Sequence, residues 1–265
     1  MAEPLSIHYG KDAVSFYRTD EESNLFAADV ELVLHGEVFV PSYTEGDNSM
    51  VVATDSMKNF IHACAYDFGG SSLEDYLAFV GRSFLERYEH VERVSLEGRE
   101  HTFARRGELL YQQVYADRGV ARLDVGRDGV RDHRSGREGL HLVKLTGSAF
   151  TGFVRDEYTT LPEMPDRPLF VHLDVRWRHA DFGRRVTSEA VRDSVCATFD
   201  DFVSASIQHL VHEMGVRALE QFPEIEEIEL DGQNRLWDTA RSADGIAVYT
   251  DARPPFGVIH LTLRR

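Results

Sequence analysis

The segment TGSAFTGFVRDEYTTLPEMPDR, residues 146–167, interrupts the second half of the chain and sets how the rest is read. It gathers Arg155, Asp156, Glu157, Asp166 and Arg167 between aromatic residues and glycines, and sustains neither helical nor strand periodicity. Such a run is an irregular connection, and connections carry function more often than core elements do. On both sides the pattern turns to strands. GLHLVKLTG (139–147) leads in, and RPLFVHLDVRW (167–177) leads out, with Val171, Leu173, Val175 and Trp177 alternating against His172, Asp174, Arg176 and Arg178.

Working outward, the second half continues with a helical region over 187–222 whose apolar face includes Val195, Phe199, Phe202, Leu210 and Met214. Strands IEEIEL, GIAVYT and GVIHLTL close it. The first half follows the same plan. Residues 6–43 read as strand, rich in Val and Phe and broken at Gly36. GDNS (46–49) is a turn, VVA (51–53) a short buried strand, and Thr54 or Asp55 an N-cap. The helix that follows aligns Met57, Ile61, Ala65 and Phe68, and Gly69-Gly70 ends it. Ser71 and Glu74 form a capping-box pattern before a second helix built on Leu73, Leu77, Val80, Phe84 and Tyr88. VERVSLEG, ELLYQQVYA and VARLDVG return to strand. Strands, helices, strands, given twice, predict an internal duplication and an α+β fold of antiparallel sheets with helices on one face, in two domains, 1–135 and 136–265.

Composition narrows the function. The chain has 265 residues and a formal charge of -16, from 45 acidic against 29 basic side chains. That field repels phosphate backbones and anionic lipid, so nucleic acid and membrane surfaces are not the expected partners. No apolar run reaches the ~20 residues of a spanning helix, the start MAEPLSIHYG lacks the charge and apolar run of a leader, and the end HLTLRR is not a peroxisomal address. A cytoplasmic protein is the expectation. Cys64 and Cys196, the two cysteines, fall in helical stretches and read as buried reduced thiols. The basic side is nearly all arginine: Lys11, Lys58 and Lys144 are the only lysines. Either a GC-rich genome or a saline habitat produces this, and concentrated salt, which screens an acidic surface, is the reading preferred. In such a chain a lysine marks a place where a tunable ammonium is wanted, and Lys11 is the one singled out.

The segment 146–167 resembles the signature of urate oxidases (uricases), in which Thr-Gly-Ser-x-Phe-x-Gly-Phe leads into Arg-Asp-Glu-Tyr-Thr-Thr-Leu and ends on Asp-Arg. The resemblance extends over nearly the whole chain, from YGKDAV (9–14) through YTEGDNSMVVATDSMKN (43–59) to PPFGVIHLTLRR (254–265). It implies two tandem T-fold (tunnelling-fold) domains per subunit, and a barrel-shaped homotetramer with sites at subunit interfaces. The implied reaction turns urate, dioxygen and water into 5-hydroxyisourate and hydrogen peroxide without metal, flavin or haem, dioxygen being a co-substrate. Lys11 and Thr54 match the catalytic dyad of the family, an ammonium and a hydroxyl able to pass a proton. Arg167 and Gln208 match the pair that grips one purine edge, Phe150 the aromatic that stacks on the ring, and Asn234 the asparagine above it. Ile207 stands where an aliphatic residue offers its backbone, and Asp55 follows the dyad threonine.

The chain departs from the family first at residues 233–236. Pro-Asn-Lys-His is usual there, whereas this chain reads Gln233-Asn234-Arg235-Leu236, so a leucine replaces the relay histidine. HTF (101–103) also lacks one histidine of a paired segment. Three functions therefore stand side by side: a urate oxidase, an oxidase or hydroxylase of another planar heterocycle, and a purine-binding protein that keeps the grip without the relay. His209, His212 and Glu213 share a helix face like part of a metal site, but no third-element ligand accompanies them, and no metal is expected. His133, amid Arg and Asp, reads as loop.

Overall fold

The structure is a computed structural model that describes residues 6–22, 24–114 and 117–265. It divides into two compact units, residues 1–135 and 136–265. The first contains β1 (His8–Thr19), β2 (Leu25–His35), a 3-10 turn (Glu37–Phe39), α1 (Val40–Thr44), α2 (Thr54–Asp67), α3 (Leu73–Arg87), β3 (Arg93–Glu100), a small hairpin of β4 (Phe103–Arg105) and β5 (Tyr111–Gln113), and β6 (Arg118–Gly126). Strand β7 (Gly129–Lys144) crosses the boundary. The second unit continues with β8 (Leu169–His179), α4 (Ser188–Asp201), α5 (Ile207–Gln221), β9 (Ile225–Asn234), a hairpin of β10 (Asp238–Ala243) and β11 (Ile246–Thr250), and β12 (Gly257–Arg264).

In the first unit the sheet order is β1-β2-β3-β6, with each neighbouring pair antiparallel. In the second it is β7-β8-β9-β12, with β9 antiparallel to both β8 and β12. The architecture is α+β, and alternation explains which sheet face is covered. Leu169, Val171, Leu173, Val175 and Trp177 are all buried in the same apolar cluster as Val191, Val195, Leu210 and Met214 from α4 and α5. The residues between them on β8 are only half-buried. Each fully buried aliphatic or aromatic side chain contributes about 1.5–3 kcal/mol, so this face holds the unit together.

The two units use the same helix recipe. α3 and α5 are each 15 residues long, and each is capped by a serine, Ser72 or Ser206, whose hydroxyl accepts the N–H of the residue three positions on. Each has its glycine at the ninth position, where a Cβ would meet a sheet side chain: Val125 Cγ2 at 2.8 Å from Gly81, and Leu263 Cδ1 at 2.7 Å from Gly215. Glycine there lets the helix lie close on the sheet, and adding a methyl would cost about 1–3 kcal/mol in overpacking.

Several local expectations change. VFVPSY is helical rather than strand, because Pro41 sits in the first turn of α1 where its missing N–H costs nothing. VVA (51–53) is an extended connection outside any strand. Ala53, not Thr54 or Asp55, is the N-cap of α2, and Thr54 is its first residue. The cap of α3 is Ser72 rather than Ser71. The helical region over 187–222 is two helices broken at 202–206. His133 lies within β7 rather than a loop. Of ELLYQQVYA only Tyr111–Gln113 is strand, while Tyr115 and Ala116 lie outside the described residues. Cys64 is buried, with its thiol pushed up to about 12, whereas Cys196 is only half-buried. No helix among the described residues is long and apolar enough to cross a membrane.

Candidate functional site

In the second unit the site is assembled around the break between α4 and α5. Lys144 donates to Asp200 O at 3.0 Å and Phe202 O at 2.8 Å, closing the carboxyl end of α4. Ser148 then pairs with Ser204 in a parallel bridge: Ala149 N–H donates to Ser204 O at 2.8 Å and Ser204 N–H to Gly147 O at 3.1 Å. The end of the signature folds back on its start, with Arg167 N–H donating to Ser148 O at 2.9 Å and Phe150 bridged to Met164. Gly147, at φ 78°, supplies the left-handed turn this requires.

Asp166 locks the fold-back. Its carboxylate accepts from Thr146 Oγ1 at 2.5 Å, Gly147 N at 2.8 Å and Ser148 N at 3.2 Å. The hydrogen bond from Thr146, helped by these N–H groups, holds its pKa below the usual carboxylate value. The acid beside Arg167 is therefore engaged elsewhere. Arg167 itself is 7% exposed, its Nε has no hydrogen-bond partner, and no ion pair engages it among the described residues. Burial lowers its pKa, though a guanidinium keeps its proton. Its Cζ lies 5.5 Å from the centroid of Phe150, which stacks on Phe153 at 4.8 Å and 11°.

Ile207 and Gln208 open α5 directly after the break. Ile207 is buried in the core cluster, whereas the Gln208 side chain is exposed. The first helical bond in this turn runs from Leu210 N to Ser206 O, so the N–H groups of Ile207 and Gln208 precede the ladder, where the helix end favours negative charge. Asn234 ends β9, paired with Val171 and with Gly257, and its Oδ1 is buried without a partner. Arg235 turns to Gln233 and lies 3.6 Å over the Phe256 ring, and Leu236 is 40% exposed.

In the first unit, Lys11 sits on β1 opposite Leu32, just before a bulge in which Ala13 takes φ 54°. Bulges re-aim side chains and strengthen local twist. Tyr9 Oη accepts the Val52 N–H at 2.9 Å, tying β1 to the segment that enters α2. Thr54 and Asp55 begin that helix. No side chain caps it, so the Thr54 hydroxyl is not spent there. Asp55 is bound by Lys58 at 2.6 Å and Asn59 at 3.1 Å, and these bonds, with a weaker contribution from Lys11, lower its pKa. Lys11 is thus near enough to act on the charge of Asp55, the residue after Thr54, and Phe150, Arg167, Ile207 and Gln208 gather around the Ser148–Ser204 bridge.

Other charged residues of interest have different roles. Arg155, Asp156 and Glu157 form an exposed turn in which Asp156 binds Tyr158 N and Thr159 Oγ1. Glu213 pairs with Arg217 at 2.7 Å and His209 meets the Phe202 ring edge-on, so that helix face is already engaged. Among the described residues, metal-ligand spacing occurs at Glu229, Asp231 and His260, yet Arg176 lies 3.0 Å from Asp231 and 2.8 Å from Glu138, placing a resident cation there. The sequence reading passed over Ser148 and Ser204. Ser148 is legible only as the third letter of the signature, and nothing in the sequence marks Ser204.

The sequence model of the family described as Uricase matches residues 7–108 and 133–260. A uricase of Haloferax volcanii is 37% identical over 98% of this chain and 98% of its own length. A uric acid degradation bifunctional protein of Bacillus sp. TB-90 is 36% identical over 95% of this chain, which spans 59% of that longer relative. The crystal structure of a uricase from Bacillus fastidious superposes with a TM-score of 0.91 at 35% identity, covering 99% of this chain and 94% of that one.

Proposed function

The chain belongs to the uricase family, and from that premise we propose that it oxidises urate with dioxygen and water to 5-hydroxyisourate and hydrogen peroxide, without a metal or organic cofactor. The observation that carries the reading is the buried Arg167, stacked near Phe150 and left without an acid partner because Asp166 is committed to Thr146, Gly147 and Ser148. A desolvated guanidinium is costly unless an anion completes it, and a urate anion is a flat one.

The roles follow from the chemistry of each group. The Arg167 fork and the Gln208 carboxamide meet alternating carbonyl and N–H groups of one purine edge. Phe150 stacks on the ring, the Ile207 N–H donates from the helix end, and the Asn234 amide stands over the face where dioxygen and then water react. Lys11 and Thr54 move the proton: the ammonium lowers the hydroxyl's pKa, and Asp55 frames the pair. Urate gives up two electrons to dioxygen, which leaves as peroxide, and water supplies the oxygen added to the ring. Each unit is one T-fold domain, 1–135 and 136–265. Four cytoplasmic subunits form a barrel in which Lys11 and Thr54 of one protomer serve the grip of another.

The test is urate added to pure protein in air-saturated buffer, following its ultraviolet band and peroxide together. Loss of the band with stoichiometric peroxide is expected. Urate bound but not consumed would instead identify a purine-binding protein, and neither binding nor turnover would point to another heterocycle.

A further inference from the structure

Three buried polar atoms at the centre of the site have no protein partner: Ser148 Oγ, Ser204 Oγ and Arg167 Nε. Their residues are 1%, 2% and 7% exposed. They are also adjacent through the backbone, since Ser148 bridges Ser204 and accepts from Arg167 N–H at 2.9 Å. Residues paired across such a bridge project to the same side. Burying a hydroxyl without a partner is destabilising, so alanine would serve packing better at either serine. Two such hydroxyls, on residues that the bridge and the Arg167 N–H bond join to the backbone of an unpartnered guanidinium, point to a shared ligand.

We propose that Ser148 and Ser204 are positioning residues of the purine site: with Arg167 Nε they hold one water-sized hydrogen-bonding molecule that fixes the plane of the guanidinium. The inference rests on reading Arg167 as the purine grip. A water can accept from Nε–H and one serine O–H and donate to the other serine oxygen, which satisfies all three atoms. A neutral clamp also suits the chemistry. A carboxylate behind Arg167 would hold the fork as firmly but cancel the charge that the urate anion needs, and the one carboxylate next in sequence, Asp166, is turned away to Thr146 and the Gly147 and Ser148 N–H groups.

The experiment titrates urate under anaerobic conditions, so that binding is read without turnover, and then measures kcat and KM in air for wild type, Ser148→Ala and Ser204→Ala. Each alanine variant is expected to weaken urate binding and raise KM by about tenfold, the scale of one hydrogen bond to a charged group, with kcat nearly unchanged. A mere packing defect would not split KM from kcat in this way. In a cycle with Arg167→Lys, which lacks the planar fork, Ser148→Ala should add nothing further. Alanine variants that bind urate as tightly as wild type and melt at a higher temperature would show the hydroxyls to be idle and overturn the inference alone. Wild type that fails to bind urate anaerobically would remove the purine reading and this inference with it.

Discussion

The guanidinium carbon of Arg167 stands 5.5 Å from the centre of the Phe150 ring, while Asp166, its neighbour in sequence, spends its carboxylate on Thr146 and two backbone N–H groups. The result is a buried cation beside an aromatic face, with no ion pair among the described residues. Arg167→Ala should weaken anaerobic urate binding by a hundredfold or more, on the order of the 2–5 kcal/mol lost when a buried charge pair is broken. Arg167→Lys should recover little of it, because a point charge cannot present two parallel N–H groups. Unchanged affinity in Arg167→Ala would remove the gripping role.

Asp166 gives a prediction in pH. Its folded pKa is held below the unfolded value, so its contribution is fully present above about pH 4 and is lost as pH falls through the folded pKa. The protection factors of the Gly147 and Ser148 amides, taken relative to the intrinsic exchange rate at each pH, should therefore fall below about pH 4 in the wild type. In Asp166→Asn they should be low already at neutral pH and nearly flat through the acid range. A variant with wild-type protection at pH 7 would show that the carboxylate does not hold the fold-back.

Gly10 controls where Lys11 sits. A Cβ at Gly10 would lie 2.1 Å from the Leu32 carbonyl oxygen, a backbone atom that cannot swing away, so β1 would have to shift just before the bulge. Gly10→Ala should lower kcat well over tenfold, since displacements of about 1 Å at a proton-transfer group can cost a hundredfold. Urate binding should be far less affected. Gly46→Ala, with open space around its Cβ though at a positive φ, is the comparison: it should reduce stability without this selective loss of turnover.

The particular residues show which parts of this arrangement were legible in the sequence. Strand β8 could be read residue by residue, because its two faces differ in polarity along Val171 to Arg178 and period-2 alternation needs no knowledge of its partners. The helix faces of α2 and α3 were legible from their 3.6-residue spacing, except that Phe68 and Tyr88, expected on those faces, cap the helices instead. VFVPSY misled because β-branched and aromatic residues favour strand locally, while Pro41 and the turn after Gly36 set a helix. The cap at Ala53 fell one residue before the good capping letter Thr54, and at Ser71-Ser72 two equal capping letters left the choice to where the chain enters the packed layer. At the site, Phe150 and Arg167 stand out through the signature and Ile207 through the wider resemblance, but the helix start at Ile207 is hidden within one apolar helical pattern, and Ser204 was invisible. Its importance comes from a bridge to Ser148 across a long separation in the chain, and a lone serine in a loop carries no pattern.

The charge of -16 and the near absence of lysine make salt a natural variable. At about 0.01 M salt the carboxylates repel one another over about 30 Å, and in about 1 M KCl the range falls to ~3 Å. The network in which Arg176 faces Glu138, Asp174, Glu229 and Asp231 concentrates several acids around one cation and should gain from screening. The urea midpoint of the protein should therefore rise between low salt and about 1 M KCl. Equal midpoints would assign the arginine-rich composition to codon usage rather than to a saline habitat.

Leu236 stands two residues beyond Asn234, just after β9 ends, and is 40% exposed, so a polar side chain there need not be buried. Leucine neither accepts nor donates a proton, whereas the position in the resembled pattern carries an imidazole able to do both near neutral pH. Arg235 does not substitute for it, because its guanidinium is committed to Gln233 and the Phe256 ring. If proton transfer limits the reaction, Leu236→His should raise kcat by about tenfold to a hundredfold, the lower part of the range for a general acid–base group, while leaving anaerobic urate affinity unchanged. The gain should appear as pH rises through the imidazole pKa, near 6.5 for an exposed side chain, because the neutral ring is the acceptor. A variant with wild-type kcat at every pH would mean that the Lys11–Thr54 pair moves the proton without a third group.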